Sequence, residues 1–345
     1  KAPAAAIVER PDSTAQVPQL IVGSTTDALH RLAKALIQET SAIKIAITGS
    51  VGKTGTKEML SNCLRHFGQT HANQGNYNNH LGVPLTILGI SSSISYLVTE
   101  IGMNQKGEIS PLSSLVKPNI AIITKISESH LGNMKSLKDV ADEKASICEG
   151  MSSDACIILP RDDDHYFILE KAAIDANIKN IISFGKNPNS TIQLISRYEK
   201  DTKNSPYCQI ISFKIANERY EFRLGMRAEH WAINALSVIA VCHWLKLDIN
   251  IACNRLQSQT ALEGRGAEIQ LSIDNFSTCL IDDAYNASPS SMKAALKDLA
   301  SRPETNKVLL LSDMLELGEF SEEMHYSLIP DIIGTRPSSV ILVGA

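Results

Sequence analysis

No apolar run in the 345-residue chain approaches the roughly 18–20 residues that cross a bilayer, so no membrane span is expected. The opening "APAAAIVERP" is too short and too broken for a secretory leader, and the chain starts on Lys1 rather than Met, which suggests trimming. No C-x-x-C pair occurs. The seven cysteines lie scattered at 63, 148, 156, 208, 242, 253 and 279. An odd, dispersed set in a long chain reads as reduced, mostly buried thiols, and a cytoplasmic protein is expected. Excess positive charge is absent. The net charge of −4 speaks against a nucleic-acid partner. Neither an internal repeat nor a low-complexity tract is visible. What remains is ordinary globular sequence, 43% hydrophobic and 20% charged, with length for two or three domains.

A glycine is missing from the segment that promises nucleotide chemistry. In "IAITGSVGKTGTKEM" (45–59) a Gly-Lys-Thr follows an apolar strand, but the common phosphate loop is G-x-x-x-x-G-K-[ST]. Its first glycine would fall on Ile47; the chain offers Gly49 instead, giving G-x-x-G-K-T. The context is still that of a phosphate loop, with a strand over "AIKIAIT" (42–48) and a helix over "TGTKEMLSNCLRHF" (54–67). Gly49 and Gly52 would let the backbone around Ser50 and Val51 turn its N–H groups inward, and the helix start adds its positive end. Lys53 would reach terminal phosphates, and the Thr54 hydroxyl would hold Mg2+.

Ahead of the loop, residues 1–40 carry the β-like "QLIVG" and a helix that Thr25, Thr26 or Asp27 would cap. Leu29, Leu32, Ala33, Leu36 and Ile37 form its apolar face. Behind it, "YLVTEIG" (96–102), "NIAIITKI" (119–126), "ACIILP" and "NIISFG" read as strands, and "SLKDVADEKASICEGM" (136–151) as a helix. Alternation between 190 and 225 predicts a small antiparallel ribbon, followed by two helices. Past a boundary near 261–267 the β/α rhythm restarts: strand 279–282, helix 289–301, strand 307–312, helix 321–332, strand 339–343. The fold class is therefore α/β, with mostly parallel, doubly wound sheets.

Strand ends carry the remaining chemistry. Glu100 ends one strand on the edge where such sheets bind ligands, and could hold Mg2+ or polarise a water. A lone strand-end glutamate is as often merely solvated; the neighbouring loop favours metal. His130, after another strand end, is by itself more often structural, and gains weight only as part of a shared site. Lys144 in "ADEKASI" reads as a solvated helix lysine. In "LIDDAYNASPSSM" (280–292) the paired carboxylates of Asp282 and Asp283 end a strand and suit a ribose or an amine, with Asn286 and Ser288 in the loop that follows; otherwise this is a capping loop before Pro289. The acidic "LSDMLELGEFSEEMH" (311–325) would bind a cation or an ammonium group, or be solvated, with Ser321 as an N-cap.

Taken together the segments resemble the Mur ligases of peptidoglycan synthesis from about residue 3 to 345. The resemblance rests on "TGSVGKTGTKEM", "GNYNNHLGVPLTIL", "EIGMNQKGEISPLSSLVKPNIAIITKI", "SHLGNMKSLKDVADEKASI", "HWAINALSVIA", "LEGRG", "DDAYNASPSSMKAAL" and "SDMLELGEFSEEMH". The last two point to the branch that adds a dipeptide. The resemblance implies the tail of a UDP-sugar domain over 1–40, a central P-loop ATPase over 41–262 and a partial Rossmann-like domain over 263–345. It implies ATP and Mg2+ as cofactors, and UDP-MurNAc-tripeptide and D-Ala-D-Ala as the partners joined through an acyl phosphate, by a monomer. Gly49 to Thr54 then resemble the family's ATP loop. Thr54 and Glu100 match ligands of one Mg2+ and His130 of a second. Lys144 falls where the family carries a carbamylated lysine, so that Lys53, His130 and Lys144 are the implied catalytic set. Asn234 matches an adenine contact, Arg265 a phosphate contact and Asp283 a ribose contact. Asn79 and His80 match positions near the acyl phosphate, and Tyr285 and Asn286 fall at the substrate.

Three departures stand out: Gly55 replaces a usual hydroxyl residue, Trp231 a usual Asn after the His, and "LPRDDDHY" an Asn-containing strand end. The resemblance also implies a fragment with incomplete outer domains. The alternatives are another Mur-type amino-acid ligase, or a truncated nucleotide-binding homologue without ligase activity.

Overall fold

The computed structural model describes residues 3–129, 131–202, 205–273 and 276–344. A short parallel pair, β1 (Ala6–Val8) and β2 (Gln19–Ile21), leads into helix α1 (Thr25–Glu39). Ser24 caps α1, rather than Thr25, Thr26 or Asp27: its hydroxyl accepts from the Asp27 N–H at 3.1 Å. That hydroxyl satisfies one of the first-turn donors that have no partner inside the helix. On the predicted apolar face, Ala33 and Ile37 are buried, while Leu32 stays 46% exposed.

The centre is one sheet of β3 (Ile43–Thr48), β4 (Thr70–Ala72), β5 (Tyr96–Glu100), β6 (Ile120–Ile123), β7 (Cys156–Pro160), β8 (Asn180–Gly185), β9 (Ile192–Thr202), β10 (Ser205–Ile215) and β11 (Glu218–Leu224). Its order is β11-β10-β9-β8-β7-β6-β3-β5-β4, parallel from β4 to β9 and antiparallel over β9-β10-β11. The predicted ribbon is thus no separate unit; β9 pairs with β8 and extends the central sheet.

Both faces are apolar, as a doubly wound sheet requires. Ile45, Ile47, Val98, Ile120, Ile122 and Ile158 join one core, under α2 (Lys53–Leu64), α7 (Glu229–Trp244) and α8 (Ile249–Gln257). Their sequence neighbours Ala46, Leu97, Ala121, Ile123, Ile157 and Leu159 join the other. That core lies under α1, α3 (Gly82–Leu88), α4 (Ile109–Val116), α5 (Leu137–Ala145) and α6 (Tyr166–Asp175). The period of two in side-chain direction places them so. Truncating Ile47, which is fully buried, to alanine would cost about 2–5 kcal/mol.

Five cysteines, 63, 148, 156, 242 and 253, are buried. Cys63 on α2 lies 3.8 Å, sulfur to sulfur, from Cys242 on α7. No helix among the described residues is long and apolar enough to cross a membrane.

Beyond residue 262 the chain forms an antiparallel pair, β12 (Ala267–Ile273) and β13 (Phe276–Asp282), then α9 (Pro289–Ser301). A parallel pair follows, β14 (Val308–Ser312) and β15 (Ser339–Val343), with α10 (Ser321–Tyr326) and α11 (Ile329–Gly334) between them. The predicted strand at 279–282 is longer, and its partner β12 had no counterpart in the sequence reading. The predicted helix 321–332 is two helices. Pro330 has no N–H to offer the Tyr326 carbonyl, so the first helix cannot run on. Ser321 is the first residue of α10, not its cap; Phe320 holds the cap position after a 3-10 turn. Ser288 does cap α9, in a reciprocal capping box with Ser291, and Pro289 opens the helix.

Candidate active site

The loop between β3 and α2 owes its shape to two glycines. Gly49 (φ +145°) lies against β6's continuation: a Cβ there would run into the Thr124 hydroxyl, which donates to the Val51 carbonyl at 2.6 Å. Gly52 (φ +84°) is in the left-handed region, and a Cβ on it would meet the Asn234 carboxamide at 2.9 Å. Ser50 ties the loop to the segment after β6, with its N–H on the Lys125 carbonyl at 2.7 Å and its hydroxyl on the Ser127 carbonyl at 3.0 Å. The Lys53 ammonium folds back over the loop, donating to the Gly49 carbonyl at 2.8 Å and the Ser50 carbonyl at 3.1 Å. Burial pushes its pKa below the ordinary lysine value, Glu100 opposes that, and Arg265 adds to it.

Glu100, 2% exposed, ends β5 beside the loop. Its carboxylate accepts from the Thr54 hydroxyl at 2.8 Å and from the Asn78 carboxamide at 2.7 Å. Behind it Asn73, also buried, accepts from the Glu100 N–H at 2.9 Å and donates to the Glu100 carbonyl at 3.2 Å. Lys57, fully buried, donates to the Asn73 carbonyl at 2.7 Å and pairs with Glu58 at 2.8 Å. Asn73, Asn78 and Lys57 were not read from the sequence. Asparagine-rich "ANQGNYNNH" (72–80) was the only signal for the first two, and nothing local marks a buried Lys57.

Lys144 is not the solvated lysine its local sequence suggests. It is 1% exposed. Its pKa is driven well below the usual lysine value, first by burial and then by the Lys53 charge, with Glu143 opposing. The preceding Glu143 takes three N–H groups, from Gly107 at 2.7 Å, Glu108 at 3.0 Å and Ile109 at 2.9 Å, at the start of α4. Anchored that way, α5 leaves Lys144 within electrostatic range of Lys53.

Arg265 joins the loop to the residues beyond 262. Its guanidinium donates to the Thr54 hydroxyl at 3.1 Å and lies 4.1 Å from the Tyr285 ring centroid. Of the paired aspartates, Asp282 accepts the Gly264 N–H at 2.9 Å and serves the turn. Asp283 carries no such duty; burial raises its pKa, Arg265 opposes that and Asp282 adds to it. Asn286 accepts from the Ala287 N–H at 3.0 Å. Asn79 accepts from the Leu81 and Gly82 N–H groups at 3.1 and 2.9 Å, at the start of α3, and the His80 carbonyl bonds His30 at 2.7 Å. Both are exposed; their neighbour Asn78 is the one that reaches the Glu100 carboxylate, while Asn73 holds the Glu100 backbone. Thus Gly49 to Thr54, Glu100, Asn234, Arg265 and Lys144 converge. Asp283, Tyr285 and Asn286 adjoin them through Arg265. His130 lies outside the described residues. Bordering segments hold two buried polar atoms with no partner among the described residues, Ser127 Oγ and Glu128 Oε2.

Among the described residues no three carboxylate, imidazole or thiol groups form a ready metal cluster. The hydroxyl–carboxylate pair of Thr54 and Glu100 still fits Mg2+, which takes oxygen ligands, keeps several waters and needs few from protein.

Comparison with known proteins agrees with this geometry. The family described as "Mur ligase middle domain" matches residues 47–242. A UDP-N-acetylmuramoyl-tripeptide–D-alanyl-D-alanine ligase of Rickettsia prowazekii is 35% identical over 326 residues, 94% of this chain and 71% of that protein. A crystal structure of MurF from Acinetobacter baumannii superposes with a TM-score of 0.89 at 30% identity, covering 98% of this chain and 72% of that one. MurF ligase from Thermotoga maritima in complex with ADP shares the fold at a TM-score of 0.82 and 24% identity, over 99% of this chain and 79% of that one.

Proposed function

The chain belongs to the Mur ligase family, and on that premise we propose that it joins D-Ala-D-Ala to UDP-MurNAc-tripeptide with ATP, in cytoplasmic peptidoglycan precursor synthesis. The observation that carries the reading is the convergence of a phosphate loop, a buried strand-end Glu100 and a desolvated Lys144. We divide it into a UDP-sugar part over 1–40, an ATPase over 41–262 and a partial ligase domain over 263–345.

In this reading the ATP γ-phosphoryl passes to the tripeptide carboxylate. The dipeptide amine then attacks the acyl phosphate, giving amide, ADP and phosphate. The protein's part is positioning and charge neutralisation. The loop N–H groups and Lys53 take the phosphates; the Lys53 ammonium exchanges its two carbonyl partners for them. Thr54 and Glu100 would hold Mg2+, which neutralises phosphate charge when bound. Arg265 approaches the same hydroxyl from the other side and adds a second fixed cation. Asn234, packed on Gly52, serves the adenine, and Asp283 the ribose. A neutral Lys144 amine is a nucleophile for CO2, and the carbamate would replace a buried cation with an oxygen ligand. His130 is assigned to a second Mg2+, and Asn79, His80, Tyr285 and Asn286 to the substrates.

Release of ADP and phosphate with UDP-MurNAc-tripeptide and D-Ala-D-Ala tests the proposal. ADP formation that needs both is expected. Bound ATP with no ADP formed would sink it. Activity with a single amino acid in place of the dipeptide would move the chain to a sibling reaction.

A further inference from the structure

Gly55 and Trp231, two separate departures in the sequence, meet in the structure. A Cβ on Gly55 would lie 2.5 Å from Trp231 Cζ3 and 2.8 Å from Cη2. No side chain can stand at 55 while the indole is where it is. Gly55 follows Thr54 in the first turn of α2, and Trp231 lies one helical turn before Asn234 on α7. The helices therefore touch at two points spaced alike on each: Asn234 on Gly52, and Trp231 on Gly55.

The indole, 6% exposed, also borders a cleft. The cleft, of about 100 Å3, is lined by Gly55, Met59, Asn62, Met226, Trp231 and Gln259 among others. That volume is well below the roughly 300 Å3 of sites that enclose a whole drug-sized ligand, so it suits one ring system and not an entire nucleotide. Its lining sets Trp231 and two methionines beside polar groups: two carboxamides, Asn62 donating to Gln259 at 3.0 Å, the Glu58 carboxylate, and the Ser258 and Thr260 hydroxyls. Apolar surface for a ring and amides for its polar edge are what a nucleobase needs. The lining also continues into the chain that carries Arg265, since Leu262 lines the cleft and Arg265 reaches Thr54.

We propose that the Gly55–Trp231 pair is a base-positioning device: the indole, admitted by the bare Gly55, forms the wall against which the purine of the nucleotide packs. The inference rests on the ATP-dependent reading above and goes beyond it, to two residues that reading does not use.

The test uses the full chain with two ligands, ATP and inorganic tripolyphosphate, which has the phosphates but no base. With Trp244→Phe, Trp231 is the sole tryptophan. ATP is expected to change its emission, and tripolyphosphate is not. Trp231→Ala should weaken ATP by at least about fivefold, the low end of base–aromatic contacts, and leave tripolyphosphate unchanged. Trp231→Phe should keep most of the ATP affinity. Gly55→Ala should weaken ATP too, with Gly55→Ala/Trp231→Ala no worse than Trp231→Ala alone. Unchanged emission at saturating ATP overturns the inference, as does equal loss of both ligands in Trp231→Ala, which would make the indole a mere prop. If wild type binds neither ligand, the ATP reading itself falls and takes this inference with it. If wild type binds ATP no better than tripolyphosphate, only the base-positioning inference fails.

Discussion

Lys144 has the largest consequence at the scale of one residue. Its folded pKa lies well below the ordinary lysine value because burial and Lys53 disfavour the cation. Between those two pH values the unfolded chain binds more protons, so this group's contribution to stability rises with pH through that window. The same desolvation readies the amine for CO2. Enzyme stripped of CO2 should be inactive and recover with bicarbonate. Lys144→Ala should abolish ligation and ignore bicarbonate, and a small carboxylate such as formate should restore part of the rate by supplying the lost oxygen. Bicarbonate-independent activity of the wild type would refute the carbamate. The local sequence "ADEKASI" could not show this, because what desolvates Lys144 arrives from other segments. By contrast the phosphate loop was legible, since its glycines, Lys53 and Thr54 are contiguous. Asn73 and Lys57 were not, because each matters only through a partner more than 15 residues away.

At the scale of elements, α5 takes its orientation from Glu143. Three N–H groups at the start of α4 converge on one carboxylate, an anion at a helix N-terminus. Glu143→Gln should lower stability by about 1.5–3 kcal/mol, seen as a lower urea midpoint at unchanged slope. It should also slow ligation, since Lys144 shares the helix turn. The strands at 42–48, 96–102 and 119–126 were readable because continuous apolar runs fit a sheet buried on both faces. Helices α3 and α4 escaped notice: at seven and eight residues they are too short to display a period. Strand β12 does carry a period-two signal, Ile269 and Leu271 alternating with Glu268, Gln270 and Ser272, but it starts at the boundary near 261–267, where the expected rhythm resumes only at 279.

For the whole molecule, the joint between the central sheet and the residues beyond 262 uses backbone where side chains would be bulky. The Gly132 N–H donates to the Glu316 carbonyl at 2.9 Å, and a Cβ on Gly132 would lie 2.8 Å from the Gly318 nitrogen. Gly132→Val should therefore wedge the two loops apart. The expected result is ligation slower by about 10–100-fold with ATP affinity nearly intact, because a displacement of about 1 Å misaligns reacting groups. Equal loss of ATP binding and ligation would contradict this. The order of the β/α units was legible along the chain, but this joint was not, as two glycines without side chains leave no pattern to read.

Lys57 offers one more use. A lysine with no exposed surface cannot meet an amine-reactive reagent unless α2 parts from the segment carrying Asn73. Its labelling rate is then a clock for local opening of the nucleotide site, slower than any surface lysine by the opening equilibrium. ATP, bound only by the closed form, should slow that clock further in proportion to its occupancy factor, and mass spectrometry of the labelled peptide would read it.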